Sequence, residues 1–195
     1  MDAIFLSASI PKPGREYYGT ADPLLIHAAV RALVILLLGR RHIVWGGHPS
    51  ITPMVSAACV GLGVPYESVV TLYQSRLFQK SFPIENSRFG NLVLIDAEAD
   101  MSTSLEALRR RMLGDFKYEA AVFIGGMNGI LDEHNMFRAM HPNATVLVVP
   151  RPGGAAEDLA KSKYGYDAST DLSPTNFTQL YIDRLGVSPT EPRRS

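Results

Sequence analysis

The sequence predicts a doubly wound α/β fold, with a mostly parallel, Rossmann-like sheet in a single domain. Three observations lead there. Short apolar runs alternate with longer segments whose apolar residues recur at helical spacing. The short runs are apolar at successive positions rather than at every second one, as in strands covered on both faces. Glycine pairs follow three of them: Gly46-Gly47 after His42 to Trp45, Gly125-Gly126 after Ala120 to Ile124, and Gly153-Gly154 after Thr145 to Val149.

Ala3 to Leu6 reads as a first strand that stops at Ser7-Ala8-Ser9 and enters a loop broken by Pro11, Pro13, Gly14 and Gly19. Asp22 as cap and Pro23 at the first helical position open a helix through Ile26, Val30, Leu33 and Leu37, stopped at Gly39. His42 to Trp45 is the second strand, Ser50 to Gly61 the second helix, and Ser68 to Tyr73 a β-branched third strand. Residues 74–90, with Pro83 and aperiodic aromatics, read as a loop with one helical turn, a length that often serves function.

Leu92 to Ile95 follows as a strand, and Met101, Leu105, Leu108 and Met112 mark a helix ended by Gly114. The strands Ala120 to Ile124 and Thr145 to Val149 enclose a helix from Ile130 to Met140. Ser173-Pro174 suits the cap of a closing helix through Phe177, Leu180, Tyr181 and Leu185, stopped by Gly186. Residues 1–186 are thus expected to form the domain, and residues 187–195, with two prolines and two arginines, a flexible tail.

Composition narrows the function. A chain of 195 residues at 46% hydrophobic can bury one sizeable core. Lysine plus arginine balance aspartate plus glutamate at 19 each, which disfavours nucleic acid as a partner because that binding draws on net positive charge. No apolar run approaches a membrane span, and no basic region precedes the first apolar residues, so neither a membrane nor a secretory route is expected and the cytoplasm is the simplest compartment. The single Cys59 excludes an internal disulfide, and the five histidines show no ligand spacing, so no metal and no cofactor are expected.

In a sheet of this kind the ligand sits beyond the carboxyl ends of the strands, where all three glycine pairs fall. A strand that breaks at glycines and reopens as a helix leaves unpaired amides aimed at one point, with the positive end of the helix dipole behind them. Phosphate binds such places. The candidate ligand-binding residues are therefore Ser7, Ser9, Gly46, Gly47, His48, Gly125, Gly126, Met127, Asn128, Gly129, Gly153 and Gly154, with Gln74 as a reader of a base edge through its amide. His48 either donates to a phosphate or base, or only fills its turn.

The segment Gly125-Gly126-Met127-Asn128-Gly129-Ile130-Leu131-Asp132-Glu133, together with Gly46-Gly47-His48-Pro49, resembles the SLOG superfamily. That superfamily groups the lonely-guy phosphoribohydrolases, the DNA-processing protein A family and nucleotide-sensing domains of bacterial defence systems. The lonely-guy signature is Pro-Gly-Gly-x-Gly-Thr-x-x-Glu. Here Ile124 stands in place of the Pro, Asn128 is an extra residue before Gly129, and Ile130 replaces the Thr.

The resemblance implies a nucleotide-derived ligand, such as a cyclic nucleotide or a cyclic ADP-ribose relative as for sensors of the Thoeris type. Glu133, about one helical turn beyond Gly129, then either accepts hydrogen bonds from ribose hydroxyls or assists cleavage of an N-glycosidic bond. Its alternative is an acid that complements the helix dipole. The hydrolases also place basic residues on the preceding helix, and Arg109 falls about 40° from Leu105 at the edge of the buried stripe, with Arg110 and Arg111 pointing outward.

The leading expectation is a sensor domain that changes its assembly on binding, with a homo-oligomer and an effector protein as partners. The apolar surplus of Ala28 to Leu38 suggests the self-association surface. The rival is a hydrolase of nucleoside monophosphates in which Glu133 and Arg109 are catalytic.

Overall fold

The computed structural model describes residues 3–65, 69–169 and 176–194. Their strands are β1 (Ala3–Ser9), β2 (His42–Trp45), β3 (Val70–Ser75), β4 (Leu92–Ile95), β5 (Tyr118–Gly125) and β6 (Thr145–Val149). The helices are α1 (Pro23–Leu37), α2 (Thr52–Leu62), α3 (Met101–Gly114), α4 (Gly129–Met140), α5 (Gly154–Tyr164) and α6 (Phe177–Leu185). All six strands pair in parallel, in the order β4-β3-β2-β1-β5-β6. The chain winds outward from β1 to β4, then crosses back to place β5 on the other side of β1. β1 and β5 therefore flank the point where the winding direction reverses, which in sheets of this kind is the place where ligands bind at the carboxyl ends of the strands.

Strand alternation divides the core in two. Ile4 and Leu6 face α1, α2 and α6, whereas Ala3 and Phe5 face α3, α4 and α5. On the second side Phe5, Tyr118, Phe123 and Phe137 pack ring to ring, Phe5 and Phe137 stacked with centroids 5.9 Å apart. Each fully buried ring or aliphatic chain of this kind contributes about 1.5–3 kcal/mol. On the first side Tyr181 of α6 donates to the carbonyl of Ala29, 3.1 Å away, which ties the closing helix to α1. The apolar surplus of α1 is spent here: Ile26, Ala29, Val30, Leu33, Val34, Leu36 and Leu37 are all buried.

Helix boundaries follow local chemistry. The Asp22 side chain accepts from the amides of Leu24 and Leu25, and Pro23 needs no acceptor, as the sequence predicts. Asp100 and Thr103 form a capping box at the start of α3 that the apolar spacing alone does not reveal. The segment after β3 forms two 3-10 turns, 76–81 and 84–88, where a helix would ordinarily make the crossover. α5 has no counterpart among the sequence-predicted helices. Its buried face is built from Ala155, Ala156, Leu159 and Ala160, too small a set of large side chains to show a period. Ser173-Pro174 lies outside the described residues, and the cap seen for α6 is Asn176, which accepts from the amide of Gln179.

The expected tail is tied down along residues 187–194. Val187 is fully buried, and the amide of Arg194 donates to Gly39. The Arg40 guanidinium donates to the carbonyls of Leu36, Pro189 and Glu191 at 2.5–2.7 Å, while Arg193 donates to the carbonyls of Ile35 and Leu38. Two cations thus satisfy the orphan carbonyls at the end of α1, where the dipole favours positive charge. Among the described residues no helix is long and apolar enough to cross a membrane.

Candidate functional site

The carboxyl end of β1 carries Ser7 and Ser9, and in the parallel register Ser9 lies opposite Gly125 at the end of β5. Gly125 and Gly126 both hold positive φ, at 61° and 78°, which lets the chain turn from β5 toward α4 without a side-chain clash. A Cβ on Gly126 would collide with the side chain of Ile130, and one on Gly154 would lie 2.8 Å from the Gly125 carbonyl carbon. The second and third glycine pairs are therefore packed on one another. The Gly126 amide donates to Ser9 O at 2.8 Å, and Gly126 O accepts from the Ala155 amide at 3.1 Å. One residue, Gly126, joins β1, β5 and α5.

The next three amides are different. Those of Met127, Asn128 and Gly129 have no acceptor among the described residues, and Asn128, at the helix cap with φ −49° and ψ −30°, offers no side-chain cap. They are the orphan donors of α4. Ser9 is 8% exposed, its hydroxyl is unpaired among the described residues, and Oγ lies 3.4 Å from where a Gly126 Cβ would stand.

One turn into α4, Glu133 joins three elements. Its Oε2 accepts from the Ser7 hydroxyl of β1 at 2.5 Å, and its Oε1 lies 3.5 Å from Nε of Arg109 on α3. Arg109 also meets Asp132 at 3.0 Å, and its guanidinium presses on Gly129, where a Cβ would come within 3.0 Å of Nη2. Of the arginine run, Arg109 turns inward with 12% of its side chain exposed. Arg110 and Arg111 stay in solvent and pair with Glu106 and Asp115. Burial raises the pKa of Glu133 above the usual carboxylate value, against the opposing pull of the Ser7 hydrogen bond and the Arg109 charge.

The first glycine pair forms a second group on the same edge. Gly47, at φ 64°, leaves room for Gln74, whose amide nitrogen donates to Gly47 O at 2.5 Å. That end of Gln74 is turned into the protein. His48 Nδ1 pairs with Ser50 Oγ at 2.8 Å, and the same hydroxyl accepts from the Ile10 amide at 3.1 Å, so Ser50 links the ends of β1 and β2. Burial, with Lys12 nearby, lowers the His48 pKa to about 4, which keeps the ring neutral at neutral pH. Gly153, at φ 76°, is filled by the Thr20 carbonyl of the first loop.

Ser50 and Asp132 escape sequence reasoning, because a serine in a turn and an acid in a first helical turn are ordinary there. Among the described residues no cluster of three or more metal-ligating side chains occurs. Hollows of about 530 Å³ along β6 and about 300 Å³ between α1 and α6 include none of the glycine turns and do not reach Glu133.

The SLOG cluster3 family matches this chain over residues 16–185. No curated protein matches it. The X-ray structure of TM1055, a Northeast Structural Genomics Consortium target, is 17% identical and superposes with a TM-score of 0.44, covering 83% of this chain and 81% of that one.

Proposed function

Because the chain belongs to the SLOG cluster3 family, we propose that it binds a nucleotide-derived small molecule at the reversal point between β1 and β5. The observation that carries this reading is Glu133, a carboxylate held by Ser7 and Arg109 one turn beyond three unpaired amides. A phosphate accepts from the amides of Met127, Asn128 and Gly129 and from the Ser9 hydroxyl, with the α4 dipole behind it. The ribose hydroxyls then reach Glu133, which accepts them while Arg109 offsets its charge. Gly46, Gly47 and His48, joined to β1 through Ser50, bound the site on the β2 side. A neutral His48 offers one donor or one acceptor to a base and adds no charge.

The sensing role follows from the resemblance to nucleotide-sensing SLOG domains: occupancy alters self-association or passes to an effector protein. Titration calorimetry with inorganic phosphate, adenosine monophosphate, ADP-ribose, cyclic ADP-ribose and cyclic dinucleotides tests binding. Heat with one nucleotide class, lost in Glu133→Gln and weakened in Ser9→Ala, supports the reading. No heat with any of them removes it.

One observation favours a second reading, hydrolysis of an N-glycosidic bond: the contact between Arg109 and a Glu133 of raised pKa. A carboxyl of raised pKa holds its proton closer to neutral pH and is then available as a general acid toward a departing base. Release of free base from adenosine monophosphate that stops in Glu133→Ala and Arg109→Ala establishes the enzyme. Ligand recovered intact after long incubation leaves the sensor.

A further inference from the structure

Three helices start at glycine turns, and their first amides are treated differently. α2 satisfies its own: the amides of Ile51 and Thr52 donate to His48 O, those of Met54 and Val55 donate to Ile51 O, and Pro53 has none. α4 and α5 do not. Neither has a side-chain cap, whereas Asp22, Asp100 and Asn176 cap α1, α3 and α6. Beside the three orphan amides of α4, those of Gly154 and Ala156 at the start of α5 have no acceptor among the described residues, although both residues are buried. A buried backbone donor without a partner is costly, and here two helix ends carry such donors.

The two sets are neighbours. An added Cβ on Gly154 would lie 2.8–3.0 Å from the backbone of Gly125 and Gly126, and the amide of Ala155, between the two unpaired ones, donates to Gly126 O at 3.1 Å. Gly126 therefore stands between the starts of α4 and α5, with the positive end of a helix dipole on each side. Ser9 reaches the same seam from β1. It is more than nine-tenths buried, its hydroxyl is unpaired, and Oγ lies 3.4 Å from the Cβ position of Gly126. Glu157, the acid in the first turn of α5, is drawn to Lys161 Nζ at 2.8 Å.

We infer that the site takes a diphosphate, one phosphoryl group on the amides of α4 and the next on those of α5. This rests on the binding reading above and narrows its ligand class. Glu133 places the ribose on the α4 side, so the phosphoryl group next to the nucleoside belongs to α4 and the outer one to α5. Adjacent phosphoryl groups share one bridging oxygen, which suits two sets of donors with a single residue between them. A nucleoside diphosphate, or a dinucleotide joined through a diphosphate, meets both sets. A nucleoside monophosphate leaves the α5 donors unmet, and the phosphates of a cyclic dinucleotide stand a ribose apart.

Titration calorimetry on the full chain should show inorganic pyrophosphate binding more tightly than inorganic phosphate, and ADP more tightly than adenosine monophosphate, each by about tenfold or more, the worth of one added charge-assisted hydrogen bond. Amide NMR locates the contacts without substitutions. Pyrophosphate and ADP should shift Gly154 and Ala156 together with Met127, Asn128 and Gly129, and the single phosphates should shift the α4 group alone. Ala156→Pro removes one α5 donor in a first helical turn, where proline is tolerated, and should erase the preference for ADP while leaving the affinity for the monophosphate unchanged. Should that variant fail to fold, the amide shifts decide. Equal affinities for single and double phosphates, or shifts confined to α4, overturn the diphosphate and leave the binding reading standing. No binding by any of the four compounds, nor by ADP-ribose, removes the binding reading itself and the diphosphate with it.

Discussion

Ser7 donates to Glu133 over 2.5 Å although 126 residues separate them in sequence. The contact crosses from the middle of the sheet to the second turn of α4, and it holds a carboxylate whose pKa burial has raised. A carboxylate with a raised folded pKa contributes stability that is fully present below its unfolded pKa and is lost as pH rises through the folded one. At neutral pH its charged form therefore works against folding. Glu133→Gln should raise the melting temperature at neutral pH and narrow its difference at acid pH, while abolishing nucleotide binding in calorimetry. Thermal denaturation at both pH values, beside the binding experiment, checks the pairing of a gain in stability with a loss of function.

His48 titrates with the opposite linkage. Its folded pKa of about 4 lies below the ordinary histidine value of 6.5, so the native state binds its proton more weakly than the unfolded chain. The stability it contributes is present above pH 6.5 and is lost as pH falls through 4, by at most about 3.4 kcal/mol. Denaturant unfolding across this window should show that slope, and His48→Gln should flatten it.

Gly154, like Gly153 whose added Cβ would run into the Thr20 carbonyl oxygen, cannot take a side chain without moving backbone. Its φ is 72°, and an added methyl would meet the Gly125 and Gly126 backbone at 2.8–3.0 Å, where no side chain can swing aside. Gly154→Ala should cost about 3 kcal/mol or more. Gly63→Ala, also at positive φ but with nothing within 4 Å, should cost only about 1–2 kcal/mol. Comparing the two by chemical denaturation separates packing from backbone strain.

Arg40 is 8% exposed and binds three carbonyls. Arg40→Ala leaves those acceptors unpaired and should cost about 3 kcal/mol. Truncation after Gly186 should destabilise by a similar amount, because Val187 and the backbone that Arg40 holds leave together. Equal unfolding midpoints for the truncated and full chains would refute a tail that belongs to the fold.

Much of this molecule is legible in its residues. Asp22-Pro23 marks the start of α1, and the placement of Arg109 at the edge of an apolar stripe agrees with its inward side chain. What the chain alone does not disclose are contacts that depend on which strands become neighbours. Glycine pairs announce turns, but only the strand order reveals that Gly154 packs on Gly125, and that Gln74 occupies the space left by Gly47. The alanine-rich α5 escapes periodicity because small side chains bury an edge without a strong pattern. The tail looks free because prolines and arginines usually mark solvated ends; here the carbonyls at the end of α1 need those cations.

The reversal of winding after β4 also sets a schedule for synthesis. Ser7 and Ser9 leave the ribosome early, yet β5, the orphan amides and Glu133 emerge more than a hundred residues later. Until they do, the nascent chain has half a site and nothing with which to complete it. On the proposed reading, ligand capture therefore requires synthesis through β5 and α4, and a terminated product lacking β5 would not compete for the small molecule.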